Sequence, residues 1–166
     1  MQLAQVKVNL HKLVNCVDFS EIDFAKSNKN KDFGCGFYLT DIFEQAQHWA
    51  IKKSEIFGGT AVIQQYEFDE TILSDANLKI LRFDSPSEEW AEFVFNNRRR
   101  KTQFVHDYDI VIGPIADDGV AYLLARYAEG TFTLKDLAKE LEYKHLNIQY
   151  FFGTKKAIDF LKRVYE

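Results

Sequence analysis

The chain contains 166 residues, of which 46% are apolar and 15% are aromatic, and its formal net charge is −4. This length and apolar content suit one domain with a buried core, so we expect a single domain over residues 1–166 and exclude intrinsic disorder. The acidic balance argues against general nucleic-acid packaging, because a domain whose main task is phosphate binding is basic.

The first third of the chain is predicted to contain two short strands, a loop and a helix. Val6–Leu10 alternates apolar and polar residues, as a half-buried strand does, and residues 15–31 form a polar loop with a few apolar anchors. Phe37–Leu39 is the second strand. A helix follows over residues 41–56 and ends at Gly58 and the glycine after it.

The remainder of the chain mixes strands and helices in irregular order. We expect strands at Thr60–Phe68, Leu78–Phe83, Asp109–Pro114 and Asn147–Phe152. A helix from Ser85, with Trp90, Phe93 and Val94 as its buried stripe, lies between the second and third of these strands. Helices at Gly119–Glu129 and over 133–142 precede the fourth strand, and a helix after Thr154 with Ala157, Ile158 and Leu161 follows it. Since regular βαβ alternation is missing, the predicted class is α+β.

Capping residues support the predicted helix boundaries. Ser85–Glu88 combines an N-cap serine at its first position, a proline in the first turn and a glutamate three residues past the cap. Asp41, or alternatively Thr40, is predicted to cap the first helix. Thr154 is expected to cap the last helix, and Gly130 is the expected C-cap of the helix at Gly119–Glu129.

Cysteine and histidine usage predicts no metal site. Cys16 and Cys35 are too few for a disulfide framework and are not spaced as zinc ligands, and the four histidines form no short ligand pair. No run approaches the ~18 apolar residues of a membrane helix, and the first ten residues lack a signal-peptide pattern. We therefore expect a soluble, cytoplasmic protein that does not interact with a membrane.

The segment Lys31–Thr40 has the densest signal for ligand binding. Two glycines, Gly34 and Gly36, let the backbone approach a ligand closely, and the helix start that follows offers free N–H groups to an anion. With Phe37 and Tyr38 between them, this arrangement predicts a dinucleotide cradle that extends to Thr40. The same spacing is equally typical of a tight turn that leads into a strand and a helix.

Two familiar motifs in this segment are not supported by their context. Asp32-Phe33-Gly34 matches the metal-binding triplet of kinases, but no glycine-rich loop, strand lysine or catalytic loop accompanies it. Gly34-Cys35-Gly36 lacks the third glycine and the preceding buried strand of a Rossmann fingerprint. We therefore exclude a kinase and a Rossmann-type dehydrogenase.

Three other positions are candidates for binding. Asn147 and Gln149 share one face of the last predicted strand and suit hydrogen bonds to ribose hydroxyls, although an ordinary edge strand with its polar side in water has the same pattern. His11, just after the first strand, is by itself typical of a surface or capping residue. The cationic run Arg98–Lys101 is either a solvated helix end or a contact for phosphate or a partner protein.

Together these motifs resemble a bacterial family of short ADP-ribosyltransferase-like proteins, long described as a domain of unknown function. The resemblance covers about residues 23–162. It is carried by the Gly-x-Gly-Phe-Tyr-x-Thr run at Gly34–Thr40 with Gln45, Ala46, Trp49 and Ala50, by Trp90, Phe93 and Arg98, by residues 108–118, and by residues 146–154.

The resemblance implies a fold and three site positions. The family is similar to the catalytic domains of poly-ADP-ribose polymerases and diphtheria toxin, a split β-sandwich that holds NAD⁺ in its cleft. The His, Tyr and Glu strand positions of that fold correspond to His11, Tyr38 and Gln149. This chain differs at two of them, since Lys12 and Leu13 follow His11 where the family has Gly-Ser, and Gln149 is neutral.

The function implied is NAD⁺-dependent mono-ADP-ribosyl transfer or weak NAD⁺ hydrolysis, with NAD⁺ as substrate and no metal. Tyr38 would stack on the nicotinamide, His11 would anchor the ribose and amide, and Gln149 would position the ribose hydroxyls. The acceptor is left open among protein, nucleic acid and small molecule. The resemblance also implies a toxin paired with a small antitoxin protein. The alternative is a catalytically inactive binding module that acts through a protein partner on the Arg98–Lys101 surface.

The high aromatic content is expected to serve mainly the core. Rings on predicted helix stripes or strands are assigned to it, namely Phe43, Trp90, Phe93, Phe151 and Phe152. Tyr38 is the exception with a stacking role, and Phe37 or Tyr150 is expected to shape its pocket.

Overall fold

A computed structural model describes residues 24, 27–99, 104–142 and 146–164. For residues 7–14 it describes the backbone but not the side chains. The strands are β1 (Lys7–Val14), β2 (Phe37–Leu39), β3 (Val62–Asp69), β4 (Ile80–Arg82), β5 (Ile110–Pro114), β6 (Ile148–Phe152) and β7 (Lys162–Val164). The α-helices are α1 (Phe43–Phe57), α2 (Glu88–Arg98), α3 (Asp118–Ala128), α4 (Leu134–Glu142) and α5 (Lys155–Ile158), and a 3-10 helix spans Glu70–Ser74. None of the described helices is long and apolar enough to cross a membrane.

The strands form two sheets, and the protein is α+β, which confirms the predicted class. One sheet has the order β1-β3-β7 with antiparallel pairs. The other has the order β2-β6-β5-β4, in which β4 and β5 are parallel and the other pairs are antiparallel. The interpretation of β6 as an edge strand is therefore wrong, because β6 lies between β2 and β5.

Alternation along β6 separates two hydrophobic cores. Tyr150 and Phe152 lie in the core between the two sheets, where Phe68 meets the Phe152 ring edge-on at a centroid distance of 5.3 Å. Phe151 lies on the opposite face and belongs to the core formed with α2, α3 and α4. Both faces of this sheet are covered, so the side chains of β5 are buried along its whole length.

Trp90 anchors α2 to the second core. The side chain is fully buried, and its Nε1 donates a hydrogen bond to the carbonyl oxygen of Pro114 at 3.1 Å. Burial of a ring of this size stabilises the fold by roughly 3 kcal/mol. Phe93 and Val94 are buried beside it, as the predicted stripe requires. This packing fixes the helix that later contributes Asn97 to the site.

The helix starts differ from the predictions at two places. Ser87, not Ser85, is the N-cap of α2, and its Oγ accepts a hydrogen bond from the Trp90 N–H at 3.1 Å. This shift leaves the proline outside the helix and places two glutamates in the first turn, where the helix dipole favours them. Helix α1 has Ile42 as its N-cap and no side-chain cap, so the prediction of Asp41 or Thr40 as the cap is wrong. The Thr40 hydroxyl instead accepts a hydrogen bond from the Ile42 N–H at 3.2 Å, before the first turn of the helix.

The exposed side of α1 contradicts the core role predicted for Phe43. Ala46 and Ala50 are the side chains of α1 that are buried, and the helix packs against β1 and β3 through that narrow small-residue face. Phe43 lies at the margin of the face and is 45% exposed. Other large apolar side chains of α1 are exposed as well, namely Trp49, Ile51, Ile56 and Phe57.

Several boundaries were not predicted from the sequence. β1 extends to Val14, so His11 lies inside the strand instead of following it. The last helix ends at Ile158, and Leu161 precedes β7, which local signals did not indicate. Helix α3 has Glu129 as its C-cap, and Gly130 follows with φ of +75°. Residues 15–23 of the predicted loop lie outside the described residues.

Candidate functional site

The loop between Lys31 and Gly36 runs across the helix-covered face of the second sheet. Gly34 turns the chain with φ of +83°, a conformation that side chains other than glycine rarely adopt. Phe33 is fully buried and packs against Phe151 of β6 at a ring distance of 6.4 Å. Because this ring holds the loop on the sheet, Asp32 is carried into the interior.

Asp32 is the centre of a buried hydrogen-bond network. Its Oδ1 receives the Arg98 guanidinium through Nε at 2.8 Å and Nη2 at 2.6 Å. Its Oδ2 accepts hydrogen bonds from the Ala116 N–H and the Gln149 Nε2, both at 2.8 Å. Asp32 is 6% exposed, so its negative charge is compensated by one arginine and satisfied by neutral donors.

This network changes the interpretation of Arg98. The arginine was predicted either on a solvated helix end or on a partner surface, but it lies against Asp32 and donates a further hydrogen bond to the Ala116 carbonyl at 2.6 Å. The next residue, Arg99, lies over the Phe95 ring at 5.1 Å. Residues 100 and 101, the rest of the predicted surface, lie outside the described residues.

Gln149 projects from β6 into the same network. Its side chain is buried, and beyond Asp32 its Nε2 makes a longer contact of 3.4 Å with the Pro114 carbonyl. The structure brings Gln149 together with Asp32 and Arg98. Asn147, its predicted companion, lies before β6 and is exposed, and its carbonyl accepts a hydrogen bond from the Ile115 N–H at 2.8 Å.

Tyr38 lies on β2, on the same sheet face as Gln149. Its hydroxyl donates to the Gly34 carbonyl at 2.7 Å and accepts from the Phe33 N–H at 3.1 Å, so the loop closes on the ring. Burial raises the pKa of the Tyr38 hydroxyl well above its ordinary value. The Lys31 Nζ lies over the ring, 4.6 Å from its centroid.

Gly36, Phe37 and Thr40 make contacts that serve the fold. A Cβ at Gly36 would lie 2.1 Å from the ring of Phe151, so the close approach that this glycine permits is to a side chain of β6. Phe37 is buried in the core between the sheets and is not brought to the Asp32 network. The Thr40 hydroxyl donates to Gln45 at 2.6 Å at the start of α1.

His11 is placed by the backbone alone. It lies in β1, opposite Gln65 in the β1–β3 register, and β1 contacts β2. Its side chain lies outside the described residues, as does Cys16. Among the residues that the structure describes, no group of three His, Cys, Asp or Glu side chains could hold a metal ion.

A cavity of about 590 Å³ opens beside the loop, at the C-terminal end of β6. Gly34, Asn97, His106 and Tyr108 line it together with Phe151. The His106 Nδ1 accepts from the Tyr108 N–H at 3.2 Å, so the proton is on Nε2, which donates to the Phe33 carbonyl at 2.8 Å.

The sequence reasoning missed Asp32, Asn97 and His106 as site residues. Asp32 was considered within a kinase-like triplet and set aside with it. Its burial could not be inferred from its neighbours in the chain, because its partners are 66 to 117 residues away. A lone Asn near a helix end and a lone His in a polar stretch have no distinguishing local pattern.

The fold and site define an α+β protein of two sheets with a buried Asp–Arg–Gln network beside a cavity. The chain belongs to the family described as "Protein of unknown function (DUF3990)", whose model matches residues 14–163. Neither the curated proteins nor the solved structures contain a match to the chain.

Proposed function

We propose that this protein is an NAD⁺-dependent mono-ADP-ribosyltransferase with the split β-sandwich architecture of that class. The observation that carries the proposal is that Tyr38 and Gln149 lie on neighbouring strands and on one sheet face. Tyr38 pairs with Phe151 in the β2–β6 register, and Gln149 precedes Phe151 by two residues on the same side of β6. The strand that carries His11 contacts β2, which supports a shared site for the three positions.

The environment of the Tyr38 ring suits a cationic aromatic ring. The Lys31 ammonium lies over this ring at 4.6 Å, which is a cation–π contact. The nicotinamide of NAD⁺ is flat and positively charged, so it can take the place of the ammonium and add stacking. Lys31 would then turn into solvent, where its charge is hydrated.

The Gln149 amide is oriented for a hydrogen-bonding role. Its Nε2 is held by Asp32, which leaves Oε1 as the atom that can accept a hydrogen bond from a ribose hydroxyl. Cleavage of the nicotinamide–ribose bond passes through an oxocarbenium-like state, which a nearby free carboxylate would stabilise. The charge of Asp32 is already balanced by Arg98, so we expect slow transfer of single ADP-ribose units or slow hydrolysis.

The first experiment measures nicotinamide release from NAD⁺ and binding of NAD⁺ by calorimetry. We expect release above background from the native protein and loss of binding in Tyr38→Ala, whereas Tyr38→Phe, which keeps the ring, still binds. Tyr122→Ala is the matched control, because Tyr122 is 63% exposed on α3. Thermal unfolding of each variant separates a lost site from a lost fold. Absence of both release and binding by the native protein would overturn the proposal.

The acceptor and the partner require separate experiments. Labelled NAD⁺ added to a cell extract, followed by protease or nuclease digestion, assigns the label to protein, nucleic acid or small molecules. We propose further that the protein acts as a toxin neutralised by a small antitoxin. Expression should then arrest growth, and Gln149→Ala should relieve the arrest. Equal growth of cells that express native protein and an empty vector would contradict the toxin role.

The second candidate is a binding module that keeps the fold without catalysis. It is supported by the inward-directed amide of Gln149, which occupies the network where a catalytic carboxylate would otherwise project. The predicted partner surface, Arg98–Lys101, no longer includes Arg98, because this arginine forms an ion pair with Asp32. Release of nicotinamide above background, lost in Tyr38→Ala, would exclude this candidate.

A further inference from the structure

The cavity at the C-terminal end of β6 contains a buried amide whose oxygen has no described hydrogen-bond partner. Asn97 is 5% exposed, and its Nδ2 donates to the Phe93 carbonyl at 2.9 Å within α2. No described residue donates a hydrogen bond to Oδ1. This oxygen is nevertheless not fully enclosed, because among the described residues the fully buried side-chain atom without a partner is Gln64 Nε2. The Oδ1 atom is therefore open to the cavity that Asn97 lines.

The backbone at Gly34 keeps this oxygen accessible. A Cβ at this position would lie 2.9 Å from Asn97 Oδ1, closer than a carbon atom packs against an oxygen. Glycine thus keeps a side chain from crowding the amide oxygen, in addition to supplying the positive φ of the turn. An acceptor that is mostly removed from bulk water lowers the free energy of unfolding unless water or a ligand in the cavity donates a hydrogen bond to it.

Three other polar side chains around the cavity are already engaged, whereas Lys29, which also lines it, has no described partner. Both ring nitrogens of His106 have backbone partners, as described above. The Thr154 hydroxyl donates to Asp109 at 2.6 Å and caps α5. The Asp107 carboxylate forms an ion pair with Lys79. Asn97 Oδ1 requires a hydrogen-bond donor, and the Lys29 ammonium at the cavity disfavours a cation or a metal ion, so the site suits a neutral hydrogen-bond donor.

The walls select a flat ligand. Aromatic rings line the cavity on several sides, with Phe104 and Tyr108 beside His106 and Phe151. The His106 ring lies 5.5 Å from both the Tyr108 ring, in a tilted arrangement, and the Phe151 ring, which it meets edge-on, and these contacts restrict the motion of the wall. Rigid aromatic walls favour planar rings, which lose little conformational freedom on binding.

We propose that this cavity binds a planar nitrogen heterocycle with an exocyclic N–H donor, which hydrogen-bonds to Asn97 Oδ1. Adenine and the carboxamide-bearing nicotinamide ring share this chemistry. The inference does not depend on transferase activity, since it rests on Asn97, Gly34 and the aromatic walls.

The test uses two pairs of small probes with the native chain. Adenosine is compared with purine riboside, which lacks the amino group, and nicotinamide is compared with nicotinic acid, which lacks the N–H donor. Calorimetry and ligand-observed NMR should show binding of adenosine, of nicotinamide or of both, and this result identifies the ring. Loss of the donor should weaken binding about tenfold, the value of one good hydrogen bond. Absence of binding by both donors, or equal binding within each pair, would overturn the proposal.

Two variants then locate the binding site. Asn97→Leu removes the acceptor, and Asn97→Asp keeps one, while both lose the hydrogen bond from Nδ2 to Phe93. We expect the leucine variant to lose the preference for the donor and the aspartate variant to keep it. A preference that survives in Asn97→Leu would refute the assignment to this cavity. Failure of nicotinamide release from NAD⁺ would leave these results unchanged, so the two proposals fail separately.

Discussion

Removal of the Asp32 carboxylate is the most direct test of the buried network. Asp32→Ala breaks the ion pair with Arg98 and leaves the guanidinium without its anion, while the Ala116 N–H and the Gln149 amide each lose an acceptor. Removal of one partner of a buried pair costs about 3–5 kcal/mol. The Arg98 side chain is 28% exposed and can recover some hydration, so we expect a loss near the lower end, about 3 kcal/mol.

Urea unfolding measured by circular dichroism gives the free energy of unfolding for this comparison. A loss of about 3 kcal/mol corresponds to a fall of roughly 6–12 °C in the melting temperature for a domain of this size. Asp84→Ala is the control, because Asp84 forms an exposed ion pair with Arg82 and should cost less than about 1 kcal/mol. Equal losses in the two variants would show that the buried network does not stabilise the fold.

Two other predictions concern packing and alkaline pH. Gly36→Ala should destabilise the protein by about 3 kcal/mol in urea unfolding, because its Cβ would collide with Phe151. Gly130→Ala, whose Cβ would meet no atom within 4 Å, should cost only the strain of its positive φ at the end of α3, about 1 kcal/mol. Burial raises the pKa of Tyr150 to about 12, so the unfolded chain loses this proton first and stability should fall as pH rises from about 10 to 12. Tyr150→Phe should show a shallower fall across that range. Equal costs at the two glycines, or equal alkaline slopes, would contradict the respective arguments.

Local patterns were sufficient for those parts of the fold that local forces determine. The continuous apolar run at β5 predicted a buried strand, and the glycine after α1 predicted its end, because Gly58 adopts φ of +72°. The strand at Phe37–Leu39 was predicted with its correct bounds. In contrast, β7 pairs three residues with β3, and nothing within Lys162–Val164 reveals that distant partner.

The candidate site was less accessible to sequence reasoning because its contacts are long-range. Tyr38 and Gln149 were identified from motifs, and both lie on one face of the second sheet. The motif interpretation could not show that Gln149 binds Asp32, since 117 residues separate them. The same limit applies to Gly36, where the pattern suggested a ligand and the packing of Phe151 is the cause.

The Asp32 network also explains why an amide suits position 149. The Asp32 Oδ2 lies 2.8 Å from the Gln149 Nε2, so a carboxylate at position 149 would face a second carboxylate with one arginine to balance both. Two carboxylates this close cannot both be ionised without cost, and the shared site raises the pKa of one of them.

Gln149→Glu tests this explanation through pH. At neutral pH the variant should be less stable than the native protein, and the deficit should shrink as pH falls, because a protonated glutamic acid can donate to Asp32 as the amide does. Urea unfolding between pH 5 and pH 8, roughly the range over which such a shifted carboxyl titrates, measures the effect. Gln47→Glu on the exposed side of α1 is the matched control and should show no such trend. A deficit that is independent of pH would mean that geometry, and not charge, selects the amide at this position.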